Sequence, residues 1–402
     1  MTASVAASAA APPAGGQDFS LVLGGPLFQL LHRLGLYDDA VGLLRRRIAF
    51  FVIITWAPLL LLSAAEGLLF GVSRSMPFMN DTECHLRFLL AVPLLIIAEL
   101  VVHQRMQPLI AQFQIRGLVR PAQMARFTDA LNEGLKLRNS VVAEVLLLVA
   151  VYAVGILVVW RQGVALHTSS WYRSAAGGDQ LSLAGLWFVF VSLPIYQFLL
   201  LRWYFRLFIW AKFLWRVSRL DLDLNPLHPD KAGGLSFVGG SLHAFTPIAA
   251  AHGVMLTGMM ANRIFYEGAK LTGFQVELFG AVIILLVLFS GPMLVFSPLL
   301  ARVKRTGLRE YGALAQSYVR AFDTKWLRGG APADEALIGS GDIQSLADLG
   351  NSYAVVEHMR LAPLSRGAVL QFVGAILIPI VPLLLTIMSP EKLIGKLVGI
   401  VL

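Results

Sequence analysis

The sequence predicts an all-α fold: a polytopic helical membrane bundle of about seven transmembrane helices, with helical extensions on the cytoplasmic side. Three observations predict it. Of 402 residues, 57% are hydrophobic and 14% charged, against about 45–50% and about 25% in an ordinary soluble domain, which argues against a water-soluble globular enzyme. The apolar excess resolves into separate stretches of about 20 residues, each long enough to cross a hydrocarbon core of about 30 Å. The basic residues gather in alternate connections between those stretches, the asymmetry that orients a chain in a membrane.

Residues 1–20 are mostly Ala, Pro, Gly and Ser with one acidic group. They lack the basic start and apolar run of a secretory signal and read as a disordered tail. Residues 21–402 read as a single helical transmembrane domain. From Pro26, the apolar positions Leu27, Leu30, Leu31 and Leu34 recur at helical spacing, the pattern of a short amphipathic helix lying on the membrane surface. Seven crossings follow, at 48–70, 86–103, 140–160, 183–203, 242–263, 276–299 and 367–388. All but the third contain a proline, from Pro58, Pro93, Pro194, Pro247 and Pro292 to Pro379 and Pro382, and each proline removes a backbone donor and invites a kink. The fifth has the smallest side chains, with Ala249, Ala250, Ala251, Gly253 and Gly258, which lets helix backbones approach closely and predicts a central position.

The N-terminus and the second-to-third, fourth-to-fifth and sixth-to-seventh connections hold 25 of the 33 Lys and Arg residues. Positive residues are retained in the cytoplasm, so the N-terminus is expected inside and the C-terminus in the periplasm. That excludes a rhodopsin-like arrangement, which runs the opposite way. The same side carries the non-membrane helices, expected over 104–138, 204–222, 304–326 and 342–361, the last capped by Asp342. The helical pattern of the fourth crossing continues from Leu183 to Leu220, about 57 Å at 1.5 Å per residue. Its excess alternates Arg202, Arg206, Lys212, Arg216 and Arg219 with aromatic residues, a mixture expected at the headgroup level, where rings anchor and long cations snorkel. The net charge of +9 is therefore read as contact with anionic headgroups of the bilayer, with no nucleic-acid partner.

Ionisable groups inside a membrane are costly and mark functional positions. Glu99, Glu144, His243, Gln371 and Gln197 fall at similar depth towards the cytoplasmic side, with His252 near the midplane. They form either a polar path entered from the cytoplasm or separate hydrated and hydrogen-bonded groups. Glu66 and Arg263 approach the outer surface and are expected to pair. Cys84 is the only cysteine, which rules out an intrachain disulfide and a Cys-based metal site. No metal or cofactor is expected: Asp221, Asp223 and Asn225 begin like a calcium loop, but Pro226 and Ala232 stand where it needs glycine and a bidentate acid. Nucleotide-binding, zinc-protease and nucleophile-elbow motifs are missing.

The most distinctive segment runs His228-Pro229-Asp230-Lys231-Ala232-Gly233-Gly234-Leu235. It resembles a short signature of uncharacterised bacterial multi-pass inner-membrane proteins, which implies a bacterial inner-membrane location and no particular activity. His228, Asp230 and Lys231 are candidate contacts of a gate or of a simple turn. In outline, seven helices with an inside N-terminus also resemble insect chemoreceptor channels, by topology alone. Three functions remain open: a channel or transporter for an ion, proton or small solute; a signalling or assembly component whose cytoplasmic helices bind a protein partner or a second copy; and a membrane-embedded lipid or glycan enzyme using His228 and Asp230.

Overall fold

A computed structural model describes residues 20–33, 42–70, 76–165, 170–172 and 181–386. The tail expected over 1–20 falls outside these, apart from Ser20, as do the last positions of the seventh expected crossing. Among the described residues every regular element is helical, and the only β features are two isolated bridges, Met76 with Ser170 and Val119 with Leu222.

The elements are α1 (Pro26–Arg33), α2 (Gly42–Ala65), α3 (Thr82–Ile115), α4 (Met124–Arg138), α5 (Val141–Ala165), α6 (Leu183–Val217), α7 (Ser236–Ala244), α8 (Thr246–Tyr266), α9 (Leu271–Leu327), α10 (Gly341–Glu357) and α11 (Arg366–Thr386). Five of these, α2, α3, α6, α9 and α11, contain runs long and apolar enough to cross a membrane. The count becomes six if α7 and α8, bent by 42° relative to one another, are one broken span. The break has a local cause: Pro247 sits in the first turn of α8, where its missing N–H and fixed φ suit a new start better than a continuation. In α5 the stretch Val141–Ala153 is apolar among the described side chains.

Two helices share one construction. Asp81 caps α3 by accepting the Cys84 N–H, and Ser182 caps α6 by accepting the Gly185 N–H. Pro93 and Pro194 each lie twelve residues after their cap, and each is preceded by one π-helical turn, Arg87–Ala91 and Phe188–Ser192. The proline cannot donate, and the N–H just before it reaches back five residues, Val92 to Arg87 and Leu193 to Phe188. A wide turn absorbs the ring without ending the helix. Each of these helices also follows another helix in the chain, α2 before α3 and α5 before α6.

The small residues of α8 do what their size predicts. The helix is packed against α3 and α11. A Cβ on Gly253 would lie 2.2 Å from the Ile376 carbonyl oxygen, and one on Gly258 would lie 2.8 Å from the Glu83 Cα. Both contacts involve backbone, so no larger residue fits without moving a helix.

Helices also form over the four expected extension segments. Continuing α3, α4 packs on the far half of α6, where Glu133 meets Arg216 at 2.7 Å and Lys212 at 3.4 Å. Phe113, Phe127 and Phe213 seal that junction with ring centroids 5.8–6.4 Å apart. The end of α9 packs on α10. There the expected capping role of Asp342 is not taken up: Ser340 is the N-cap residue, and the Asp342 carboxylate instead accepts from Lys325 Nζ at 2.8 Å and Trp326 Nε1 at 2.9 Å. Those two donors, Lys325 first, hold its carboxyl below the ordinary value.

Candidate functional site

The residues most costly to bury come together at one end of the bundle. Glu99 on α3 is 5% exposed. Its Oε1 accepts from Arg206 Nη2 at 2.9 Å and from Arg202 Nη1 at 3.4 Å, and its Oε2 is paired with Arg47. Arg202 also donates through Nε to Glu144 Oε1 at 3.2 Å. Arg202 and Arg206 are four residues apart on α6 and therefore share a face. Between them, the Trp203 ring lies under the Arg206 guanidinium at 4.6 Å and its Nε1 donates to the Leu95 carbonyl at 3.0 Å, which fixes the arginine's direction. Four helices, α2, α3, α5 and α6, each contribute a charged group. Among the described residues the cluster brings three guanidiniums to two carboxylates.

The chain before α1 closes over this cluster. Glu144 Oε2 accepts the Leu27 N–H at 2.8 Å. Leu21 and Val22 are each 1% exposed. Ser20 Oγ accepts from the N–H groups of Val22 and Leu23, and its hydroxyl meets His103 Nδ1 at 3.0 Å, while Arg138 donates to its carbonyl. Gly25 turns the strand of chain with φ +92°, and a Cβ there would lie 3.0 Å from both Glu144 Oε1 and the Arg138 carbonyl oxygen. Only glycine combines that backbone with that contact.

The other sequence-predicted groups stand apart. His252 Nδ1 faces the Ile248 carbonyl at 2.7 Å, an atom that can only accept, so the neutral ring donates from Nδ1 and accepts the Tyr204 O–H at Nε2 across 2.6 Å. His243 Nδ1 meets Gln371 Oε1 at 2.6 Å in a separate pair, and Gln197 joins neither. Glu99 and Glu144 are thus linked, through Arg202, whereas the histidines are not part of that group. The expected Glu66–Arg263 pair is not formed. Glu66 accepts the N–H groups of Leu183 and Ala184 at 3.0 and 3.4 Å, because the unsatisfied first turn of α6 lies over it and supplies donors a carboxylate takes readily.

Sequence reasoning missed a second polar group at the other end of α3. Asp81, 1% exposed, accepts from Trp171 Nε1 at 3.0 Å, the Tyr172 hydroxyl at 2.6 Å and Asn262 Nδ2 at 2.9 Å besides its own helix. Next to it Glu83 pairs with Arg87, whose guanidinium lies over the rings of Tyr196 and Phe188 at 5.7 and 5.8 Å. The Glu83–Arg87 spacing of four is a helical ion-pair signal that the sequence does carry.

The His228 segment is a self-bonded turn. Asp230 accepts the backbone N–H groups of Ala232, Gly234 and Ser236 at 2.8–3.1 Å and lies 3.0 Å from His228 Nδ1. Arg360 pins the turn from outside by donating to the Asp230 carbonyl at 2.7 Å. Partial burial raises the Asp230 pKa, and the three backbone donors outweigh it and hold the carboxyl below its ordinary value. A depressed carboxylate stabilises the turn fully above the unfolded value of about 3.9, and the contribution is lost as pH falls through the lower folded value. Asp230→Asn at neutral pH is therefore expected to loosen the turn by about 1–3 kcal/mol, the cost of leaving the Ser236 N–H, which bonds the second carboxylate oxygen, without an acceptor. Hydrogen exchange of residues 230–236 reads this directly, and unchanged protection would refute it. Lys231 is exposed at φ +55°, the one described non-glycine residue with positive φ.

Among the described residues no three His, Cys, Asp or Glu side chains converge as a metal site would need. A polar cavity of about 640 Å³ lies between α4 and α6, with Asp129, Glu133, Lys136 and Arg216 on its walls, away from Glu99. Comparison of the chain with protein-family models, with curated proteins and with solved structures finds no match.

Proposed function

We propose that the protein is a channel or transporter of the bacterial inner membrane, passing a small ion or solute, with the Glu99 cluster as its closed cytoplasmic gate. In this reading the chain crosses seven times, with α5 as the third span and α7–α8 as one broken span. The N-terminus is cytoplasmic, the C-terminus is periplasmic, and the helical extensions project into the cytoplasm.

The observation that carries the reading is the ionic cluster itself, tying α2, α3, α5 and α6 together under residues 20–27. Buried ion pairs cost much of what they return, and their best-attested use is to set a register or a switch. A bundle end held by ion pairs under a peptide cover can separate as a unit, the bistable element that gating needs. Gly25→Val tests this without replacing a charged residue, because a Cβ at position 25 crowds Glu144 Oε1 and the Arg138 carbonyl and lifts the cover. In liposomes loaded with a pH reporter and with potassium or chloride reporters, the variant is expected to pass at least one ion several-fold faster than the native chain. Native and variant flux both equal to empty liposomes would refute the reading.

A second reading, a docking surface for a protein partner, is favoured by one observation. Leu327, Ile338 and Ile343, around the junction of α9 and α10, are 71%, 93% and 49% exposed in a part of the chain that this topology places outside the bilayer. Cross-linking at position 338 in cells distinguishes the two readings. No observation favours the lipid or glycan enzyme, since the oxygens of Asp230 are engaged by its own turn.

A further inference from the structure

A groove of about 590 Å³ runs between α5 and α6 and is closed at one end by α1. Val145, Leu148 and Tyr152 form one wall and Ile195, Phe198 and Leu199 the other, while Gln29 and Arg33 stand at the α1 end. Its volume is that of an ordinary ligand site. We propose that it holds one acyl chain of an anionic phospholipid, with the headgroup against Arg33.

Four features select that occupant. The groove opens beside Val142, Leu146 and Val149, which are 58–68% exposed on α5, so the surface it opens onto is one that only hydrocarbon solvates. From Glu144 to Tyr152 the wall extends eight residues, about 12 Å at 1.5 Å per residue, close to the depth of one leaflet, about 15 Å. The amphipathic α1 lies across the end where a headgroup would sit, presenting exposed His32 and Arg33 in its last turn. Arg45 and Arg46, exposed in the first turns of α2, add positive charge to the same end of the bundle. Glu144, the one acid among the described residues of the groove wall, is answered by Arg202 and by the Leu27 N–H, so it does not repel an anionic headgroup. The groove and its cationic end therefore match a chain and a phosphate on one molecule. A second copy of the protein would offer an apolar helix but no anion at that position.

The inference does not depend on transport: it needs only a bilayer around the bundle. The test is native mass spectrometry of the full chain, released from nanodiscs containing equal amounts of phosphatidylglycerol and phosphatidylcholine. Phosphatidylglycerol is expected to be retained about fivefold over phosphatidylcholine, the factor one arginine contributes near an anionic surface. Arg33→Glu, at an exposed position, is expected to abolish the preference while leaving some lipid bound. Leu148→Trp, which fills the groove, is expected to remove bound lipid of both kinds. Equal retention of the two lipids by the native chain would overturn the proposal, as would retention untouched by both variants. So would a dimer that Leu148→Trp dissociates, since the groove would then belong to a second copy.

Discussion

Replacing Glu99 by Gln is expected to destabilise the folded protein by about 3–5 kcal/mol, the usual consequence of removing one partner from a buried ion pair. The reason lies in what remains. Arg202 and Arg206 both reach Glu99 Oε1, and Arg47 holds Oε2, so a neutral amide removes the one charge on which three guanidiniums converge. A glutamine can accept with one atom where the carboxylate accepts with two, and its NH₂ would face a donor. Thermal unfolding in detergent micelles measures the loss. A double-mutant cycle with Arg206→Met separates the pairing from a general loss of packing, because the two side chains share the Glu99 Oε1–Arg206 Nη2 contact. Coupling of about 1–3 kcal/mol is expected for residues in one network. A Glu99→Gln protein that unfolds at the native midpoint would show that the arginines do not depend on this carboxylate.

Asp81→Ala is expected to be nearly as damaging, at about 2–5 kcal/mol, since each stranded buried donor costs about 1–3 kcal/mol. Four donors converge on this side chain: the Cys84 N–H, Trp171 Nε1, the Tyr172 hydroxyl and Asn262 Nδ2. They come from the α3 N-terminus, the short described stretch 170–172 and α8, so the loss should spread across three separate segments. Hydrogen exchange should quicken at 82–86, at 170–172 and near 262 together. A change confined to the first turn of α3 would reduce Asp81 to an ordinary helix cap.

These two sites mark where the sequence stopped being informative. Apolar run length located the long helices, and the kinks that prolines invite correspond in the structure to π turns before Pro93 and Pro194 and to the 42° bend before α8. Run length says nothing, however, about which way a side chain turns at the end of a span. Arg202 and Arg206 sit where cations commonly snorkel towards headgroups, and their alternation with aromatic residues fitted that reading. In the structure the face that carries them is turned towards Glu99 and is 5% and 3% exposed, a fact set by the packing of α6 on its neighbours. Glu66 failed for a related reason. Its partner proved to be the bare N-terminus of α6, and unsatisfied backbone N–H groups leave no mark in a residue pattern. Asp81 drew no reading from the sequence, because Trp171 and Asn262, which donate to it, are remote in sequence. The His228 segment was legible as a turn, while the role of Asp230 as its acceptor required the backbone path of Ala232 to Ser236.

The central claim is that residues 20–27 lie inside the arginine-rich end of the bundle as a cover over the Glu99 cluster. Thiol labelling tests it most directly. Cys84, the native cysteine, is 1% exposed, as is Val22, so a Val22→Cys chain carries one informative thiol under the cover. With a membrane-impermeant maleimide applied to both faces, Cys at 22 should stay unlabelled in the native background and react when Gly25→Val is added. Labelling at 22 as fast as at an Ile338→Cys control, without the Gly25 change, would contradict the cover and with it the gate.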